Sequence, residues 1–207
     1  NKKFQKIITI KKMPIFMGTF KKKMNEGSDL NIWINKKTGN VQVYPKANRK
    51  KIYRYNHNSG TVGNLWKKHH IFFYNNFKRY IKGNILEIGG GDNSILLKIK
   101  NFTKIKKFIS LGKNIKKIKK NKKVTQINKF FSSSILKKQI VKKYDLIIHS
   151  HLFEHVYQPN AFLNIVQKLL KVDAYHCFSI PNQYEWIKMG AANAVNFEHP
   201  YYYDLDL

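Results

Sequence analysis

The chain has 207 residues, with 40 lysines and arginines against 11 acidic residues and a formal charge of +29. Its 43% apolar and 14% aromatic content excludes a disordered tail and allows one domain, or one domain with a small appendage. No run approaches the roughly 20 apolar residues that span a bilayer, and the lone Cys177 excludes an internal disulfide framework or a cysteine-rich zinc site.

Residues 1–50 read as short β segments joined by polar turns. In "NIWINKKTGNVQVYP" the apolar positions Ile32 and Ile34, then Val41 and Val43, alternate around Thr38-Gly39-Asn40, which is a hairpin signal. The opening "KKFQKIITIKKMPIF" lacks the long apolar region and small-residue cleavage site of a secretory signal, so a cytoplasmic location is expected. The stretch "YNHNSGTVG" (55–63) is rich in hydrogen-bonding side chains and precedes a helix, where Ser59 or Thr61 would cap it. That helix, "NLWKKHHIFFYNNFKRYI", places Leu65, His69, Phe72 or Phe73, Phe77, Tyr80 and Ile81 near helical spacing, and Gly83-Asn84 stops it.

From there strands and helices alternate. "ILEIG" is a buried strand, followed by a helix in "NSILLKIKN". "KKFISLG" and "KVTQINKFF" are the second and third strands, and "YDLIIHSH" is the fourth. "NAFLNIVQKLLK" is an amphipathic helix with Phe162, Ile165, Val166 and Leu169 on one face, and "AYHCFSIPN" is a fifth strand stopped by Pro181. This alternation predicts an α/β, Rossmann-like doubly wound sheet, mostly parallel, behind a small N-terminal β ribbon. The expected domains are a ribbon over 1–50, a helical connector or lid over 51–82, and the Rossmann-like domain over 83–207. Such a sheet normally has further strands, so the C-terminus reads as incomplete.

Ligands of such sheets bind beyond the carboxyl ends of the strands. The first strand ends in Glu87-Ile88-Gly89-Gly90-Gly91-Asp92-Asn93. Glycines there permit a tight turn and close approach to a ligand, and the helix start near Ser94 presents N–H groups. G-G-G-D-N-S is not G-x-G-x-x-G, and Glu87 would repel a pyrophosphate, so a cationic ligand bearing an amine and a sulfonium suits the turn better. In "HSHLFEHV", three histidines, His149, His151 and His155, with Glu154, invite a zinc reading, but a strand passing into a turn sends His149 and His151 to the same face and no acidic ligand follows at hydrolase spacing; no metal is expected.

"ILEIGGGDNS", "YDLIIHSHLFEHVYQPNAFLNIVQKLLK" and "FSIPN" resemble the class I S-adenosylmethionine-dependent methyltransferases. With "YRYNHNSGTVGNLWKKHH" and "NAVNFEHPYYY" they are similar, more narrowly, to the sugar and capsular-polysaccharide branch, whose members include C-methyltransferases; the likeness covers roughly residues 13–203. The resemblance implies a cytoplasmic enzyme of polysaccharide biosynthesis that uses S-adenosyl-L-methionine, held by Glu87, Gly89, Gly90, Gly91, Asp92 and Ser150. It implies a sugar substrate met by Tyr53, His57, Asn58, Ser59, Asn182 and Asn196, with His155, Glu198 and His199 catalytic. It also implies an N-terminal zinc ribbon, but Asn35 and Thr38 stand where its C-x-x-C pair would be, so the ribbon is expected to be vestigial and metal-free.

Two departures matter. The family's acidic residue at the end of the second strand, which accepts hydrogen bonds from the cofactor's ribose, is replaced by Gly112, with Lys113 next. Losing such charge-assisted bonds, at about 1.5–3 kcal/mol each, weakens binding by one to three orders of magnitude. Asn196 stands where the C-methylating relatives have a tyrosine base, which leaves O- or N-transfer open.

The charge bears on the rival readings. Of the basic residues 37 are lysines and only Arg49, Arg54 and Arg79 are arginines; lysine, asparagine and isoleucine make up 84 residues. That is the drift of an AT-rich genome rather than the arginine-rich surface of a phosphate reader, so a nucleic-acid partner is not favoured. The alternatives are a non-catalytic methyltransferase-fold scaffold in an RNA–protein assembly, and an RNA methyltransferase.

Overall fold

The computed structural model describes residues 3–15, 26–52, 63–90, 95–112, 121–129, 131, 143–191 and 194–203. The chain divides into two compact units: one of Asn1–Gly60, Phe153–Tyr157 and Ile180–Leu207, the other of Thr61–Leu152 and Gln158–Ser179.

The second unit carries the main sheet. Its strands are β4 (Gly83–Ile88), β5 (Ile105–Gly112), β6 (Val124–Asn128), β7 (Tyr144–Ser150) and β8 (Leu170–Ser179), in the order β6-β5-β4-β7-β8, every pair parallel. This is the doubly wound sheet expected from the alternation. The order reverses between β4 and β7, which puts the topological switch point beside the glycine turn.

Side-chain alternation separates the two faces. Ile85, Leu146, Ile148 and Phe108 form one face of the sheet and cluster with Phe73 and Phe77 of helix α2 (Asn64–Phe77). His149 points the other way, toward Phe162 of helix α3 (Pro159–Leu169), with the ring centroids 5.5 Å apart. Phe162 and Val166 are the buried residues of α3, on the face the sequence assigns, and Pro159 begins the helix without the cost of a lost hydrogen bond. In α2 the buried positions are His70, Phe73 and Phe77. Leu65, expected on this face, is 80% exposed because Trp66, at i−4 from His70, holds the better helical phase.

Two elements differ from expectation. After β4, residues Ile95–Lys98 form a short 3-10 helix rather than an α-helix. Ile95 and Leu96 both turn into the core, and the Ile99 N–H donates to the Leu96 carbonyl three residues back. Strand β8 begins as soon as α3 ends, but its regular pairing with β7 starts at Tyr175. Between Leu170 and Tyr175 the register shifts, and Asp173 takes φ 59.

The first unit contains an antiparallel sheet of order β1-β2-β3-β9, from Phe4–Pro14, Gly27–Asn35, Val41–Val43 and Tyr201–Tyr202. The expected hairpin is β2-β3, with Ile32 opposite Val43 and Ile34 opposite Val41. Asn35 closes its turn: its side-chain oxygen accepts from the N–H groups of Lys37 (2.9 Å) and Thr38 (3.3 Å), and Gly39 takes φ 73. Strand β9 was not foreseen. It pairs with β3, and Tyr202 and Phe197 enter the core of Leu30, Val43 and Ile52. Contacts therefore assign residues 180–207 to this unit, whereas the sequence groups them with the Rossmann-like domain over 83–207. Likewise α2, inside the expected connector over 51–82, is a core helix of the second unit. Among the described residues no helix is long and apolar enough to cross a membrane.

Candidate active site

The parallel register of β4 and β5 sets Glu87 opposite Ser110. Glu87 is 3% exposed. One carboxylate oxygen accepts from the Ser110 hydroxyl at 2.9 Å and the other from the N–H of Ile95. The carboxylate thus closes the glycine turn from below, joining the end of β4 to the 3-10 helix after it. Burial of a charge without such donors would be costly. Gly89 has φ 77, and its N–H donates to the Leu111 carbonyl at 2.7 Å. A Cβ on Gly90 would lie 2.7–3.0 Å from the carboxyl atoms of Glu87, so a side chain there would displace the group that holds the turn. Gly91 and Asp92 lie outside the described residues.

Around this turn the neighbouring strands end in Gly112, buried, and Ser150. The hydroxyls of Ser150 and Ser179 share a hydrogen bond of 2.8 Å, and His69 Nε2 lies 3.2 Å from Ser150 Oγ. His151 has φ 47 at the strand end, which breaks the alternation with His149. It meets Trp66 and His69 of α2, with ring centroids 4.8 Å away in each case, while His149 stays buried against Phe178 and His176. The two histidines therefore do not share a face as the sequence suggests. Burial, then the nearby His151, lowers the His69 pKa; burial brings His70 down to about 4, helped by His69, Lys98 and His151. These rings are neutral hydrogen-bonding and packing groups at pH 7.

The other candidates fall in the first unit. Glu154 and His155 lie on a 3-10 turn (Phe153–His155), and His199 lies in the loop before β9. One ligand atom from each of Glu154, His155 and His199 falls within 4.8 Å of the others. Glu154 is 1% exposed, and its Oε1 is 4.0 Å from His155 Nε2. His155 Nδ1 is 3.1 Å from the Glu198 carbonyl, and the His155 and His199 rings meet edge to face at 4.7 Å.

Asn196 fixes this loop. Its side-chain oxygen accepts from the N–H groups of Glu198 (2.8 Å) and His199 (3.0 Å), while its own backbone N–H and C=O both bond the Tyr202 hydroxyl. That oxygen is committed to the backbone, so Asn196 positions the loop where the sequence reading gives it to substrate. Asn182, also assigned to substrate, is the N-cap of α4 (Gln183–Lys188), accepting from the Glu185 N–H at 3.2 Å. Tyr53, His57, Asn58 and Ser59 lie outside the described residues.

The family described as "Methyltransferase domain" matches residues 44–206, well over half the chain. The chain belongs to that methyltransferase-domain family. Among solved structures, this methyltransferase-domain chain is similar to the one titled as the methyltransferase domain of bacterial CtHen1-CN, at 13% identity and a TM-score of 0.51, over 69% of this chain and 79% of that one. At that identity the likeness is one of fold. Two further structures, titled as a DhpI-SAM-HEP complex and a DhpI-SAH complex, are each 11% identical, with TM-scores of 0.43 and 0.37. The matches cover 62% and 57% of this chain and 62% and 65% of those chains, so this methyltransferase-domain protein spans less than two thirds of either. No curated protein matches it.

Sequence reasoning did not find Ser110, His69, Ser179 or Gln183. Ser110 was findable in part: a polar residue inside "FISLG" faces inward only if it has a partner, and the parallel register supplies Glu87. The partners of His69 and Ser179 depend on how α2 and β8 meet the end of β7, which spacing along the chain does not encode.

Proposed function

We propose that the protein transfers the methyl group of S-adenosylmethionine to a nucleotide-linked sugar or surface-glycan unit. The observation that carries the cofactor assignment is the turn Glu87–Gly90 at the switch point of a doubly wound sheet, in a chain of the methyltransferase-domain family. The reading is supported by the tight turn that Gly89 and Gly90 make against Leu152 and Glu87, by Gly112 adding no side chain at the end of β5, and by the Ser150 hydroxyl at the end of β7. The sugar branch rests on the resemblance of "YRYNHNSGTVGNLWKKHH" and "NAVNFEHPYYY", and so does reading the N-terminal sheet as a metal-free counterpart of a zinc ribbon.

When bound, the cofactor supplies an electrophilic methyl on a sulfonium. Held at the glycine turn, it would offer that methyl for in-line transfer to an acceptor oxygen, nitrogen or carbon, with sulfur keeping the electron pair of the broken carbon–sulfur bond. Alignment supplies much of the rate. His155, Glu198 and His199 are assigned to the acceptor, to orient it and receive its proton.

Calorimetric titration of the purified chain with S-adenosylhomocysteine tests the reading. Heat of binding with one site per chain is expected, and no heat and no thermal shift at millimolar cofactor would end the enzyme assignment. Gly112→Asp restores the absent carboxylate and should tighten binding by about tenfold or more. An unchanged affinity in a folded variant would move the ribose away from β5.

A further inference from the structure

We propose that Glu154, His155 and His199 form a binding site for one divalent transition-metal ion, with a coordination position left open for an oxygen ligand. The binding proposal stands on this cluster alone; only its link to an acceptor hydroxyl rests on the methyl-transfer reading.

The donor set is two imidazoles and one carboxylate from two loop segments of the same unit. That combination suits zinc, cobalt, manganese or iron, and three protein ligands leave room for a water or a substrate oxygen. Adjacent residues Glu154 and His155 supply two donors from one short turn, and His199 supplies the third. The distances are near what an ion needs. Ligand bonds of about 2.0–2.2 Å in tetrahedral array set donor–donor separations of roughly 3.3–3.6 Å. The Glu154–His155 pair stands at 4.0 Å and the whole set within 4.8 Å. Closure by about 1 Å is within the swing of a side-chain torsion, and His155 is the half-buried member of the three.

The second observation is how the two rings are held from behind. A metal-binding histidine usually donates its other ring N–H to a carbonyl or carboxylate, which fixes the lone pair on the ligating nitrogen. His155 does this: Nδ1 faces the Glu198 backbone carbonyl at 3.1 Å, which accepts and never donates, so Nδ1 carries the proton and Nε2 the lone pair. Nε2 is the atom turned toward Glu154. His199 Nδ1 is 3.3 Å from the side-chain amide of Gln183, a residue 3% exposed whose Oε1 has no partner among the described residues. The two ends of an amide are interchangeable in shape. Turned over, Gln183 accepts from Nδ1–H through Oε1 and leaves Nε2 of His199 to ligate. Behind the site, the two Asn196 bonds to the backbone of Glu198 and His199 keep the loop from drifting. Such an ion would take an acceptor hydroxyl as its further ligand and make it more acidic, by the Lewis-acid effect of bound metals; His155 and His199 would then orient the acceptor as ligands, and Glu198 would be the group left to receive its proton.

The test uses the full chain, freed of metal by chelation and titrated separately with Co2+, Zn2+ and Mn2+. One Co2+ per chain with intense visible absorption, displaced by Zn2+, is expected; His155→Gln and His199→Gln should each abolish it, and Glu154→Gln should weaken it at least tenfold. Histidine ring 15N shifts of the unsubstituted chain give a readout that needs no variant: Zn2+ should move Nε2 of His155 and His199, with Nδ1 of His155 still protonated. Absence of Co2+ uptake, uptake that survives both histidine substitutions, or unchanged ring signals would each overturn the proposal. S-adenosylhomocysteine titrated in parallel keeps the two readings apart. Cofactor binding without metal uptake removes this inference alone, and metal uptake without cofactor binding removes the methyl-transfer reading and leaves the site.

Discussion

Gly89→Val is expected to remove S-adenosylhomocysteine binding from the chain, below what calorimetry detects at millimolar ligand. The glycine stands at φ 77, a region that L side chains rarely adopt and that a β-branched residue occupies only under strain. Its Cβ would lie 3.1 Å from Cδ1 of Leu152 and 3.5 Å from Cδ2, before the two further methyls of valine are counted. Relief requires the backbone to turn back to negative φ. That breaks the 2.7 Å bond from the Gly89 N–H to the Leu111 carbonyl and swings the turn away from the ends of β4 and β5. Strain of this class costs about 1–3 kcal/mol, which a folded domain can survive, whereas a ligand site built on that turn cannot. Circular dichroism and a thermal melt should show a folded protein with a lowered melting point. Gly89→Ala, with the same φ penalty but a single added carbon, should bind measurably and more weakly than the glycine chain. Wild-type affinity in the valine variant would mean that the cofactor does not approach this turn.

The parts of this molecule that were legible in the sequence are those whose cause is local. Short apolar runs such as "ILEIG" and "YDLIIHSH" became the buried strands β4 and β7, and the apolar phase of "NAFLNIVQKLLK" became the buried face of α3. Glu87 and the glycines were legible because a charge and a flexible turn at a strand end need a reason. What escaped depends on partners distant along the chain. "YYY" carries no strand signal by itself; Tyr201 and Tyr202 become β9 because β3 offers an open edge to pair with. Asn196 and Asn182 read as substrate ligands because a polar side chain in a loop is ambiguous. Only the backbone geometry shows that one clamps Glu198 and His199 and the other caps α4. In "HSHLFEHV" the faces of His149 and His151 diverge, and Glu154 and His155 come close to His199, a residue 44 positions from His155, which spacing along the chain does not show.

Acid should destabilise the second unit steeply between pH 6.5 and about 4, and its histidines are the cause. His149 is 1% exposed beneath Phe178 and Phe162, and burial, with His176 alongside, holds its pKa well below the usual 6.5. Burial brings His176 and His70 each down to about 4 and lowers His69 as well. In the unfolded chain the same imidazoles take up protons near 6.5. Between the two values the unfolded state binds more protons, so stability falls as pH falls. Above pH 6.5 these groups are neutral in both states and contribute no slope; below about 4 His70 and His176 are charged in both and contribute none again. For His70, 5% exposed, the displacement to about 4 corresponds to roughly 3 kcal/mol at ~1.4 kcal/mol per pH unit. Added to the others, that approaches the 5–15 kcal/mol that typically separates folded from unfolded, and rising positive charge on a chain already at +29 works in the same direction. Urea titrations at pH 7.5, 6.0, 5.0 and 4.5 should therefore show a level midpoint down to about pH 6.5 and a collapse below it. His176→Phe, which keeps a ring beside Phe178 and removes the proton site, should flatten part of the slope. A midpoint unchanged from pH 7 to pH 5 would mean that these rings reach solvent and carry their ordinary pKa.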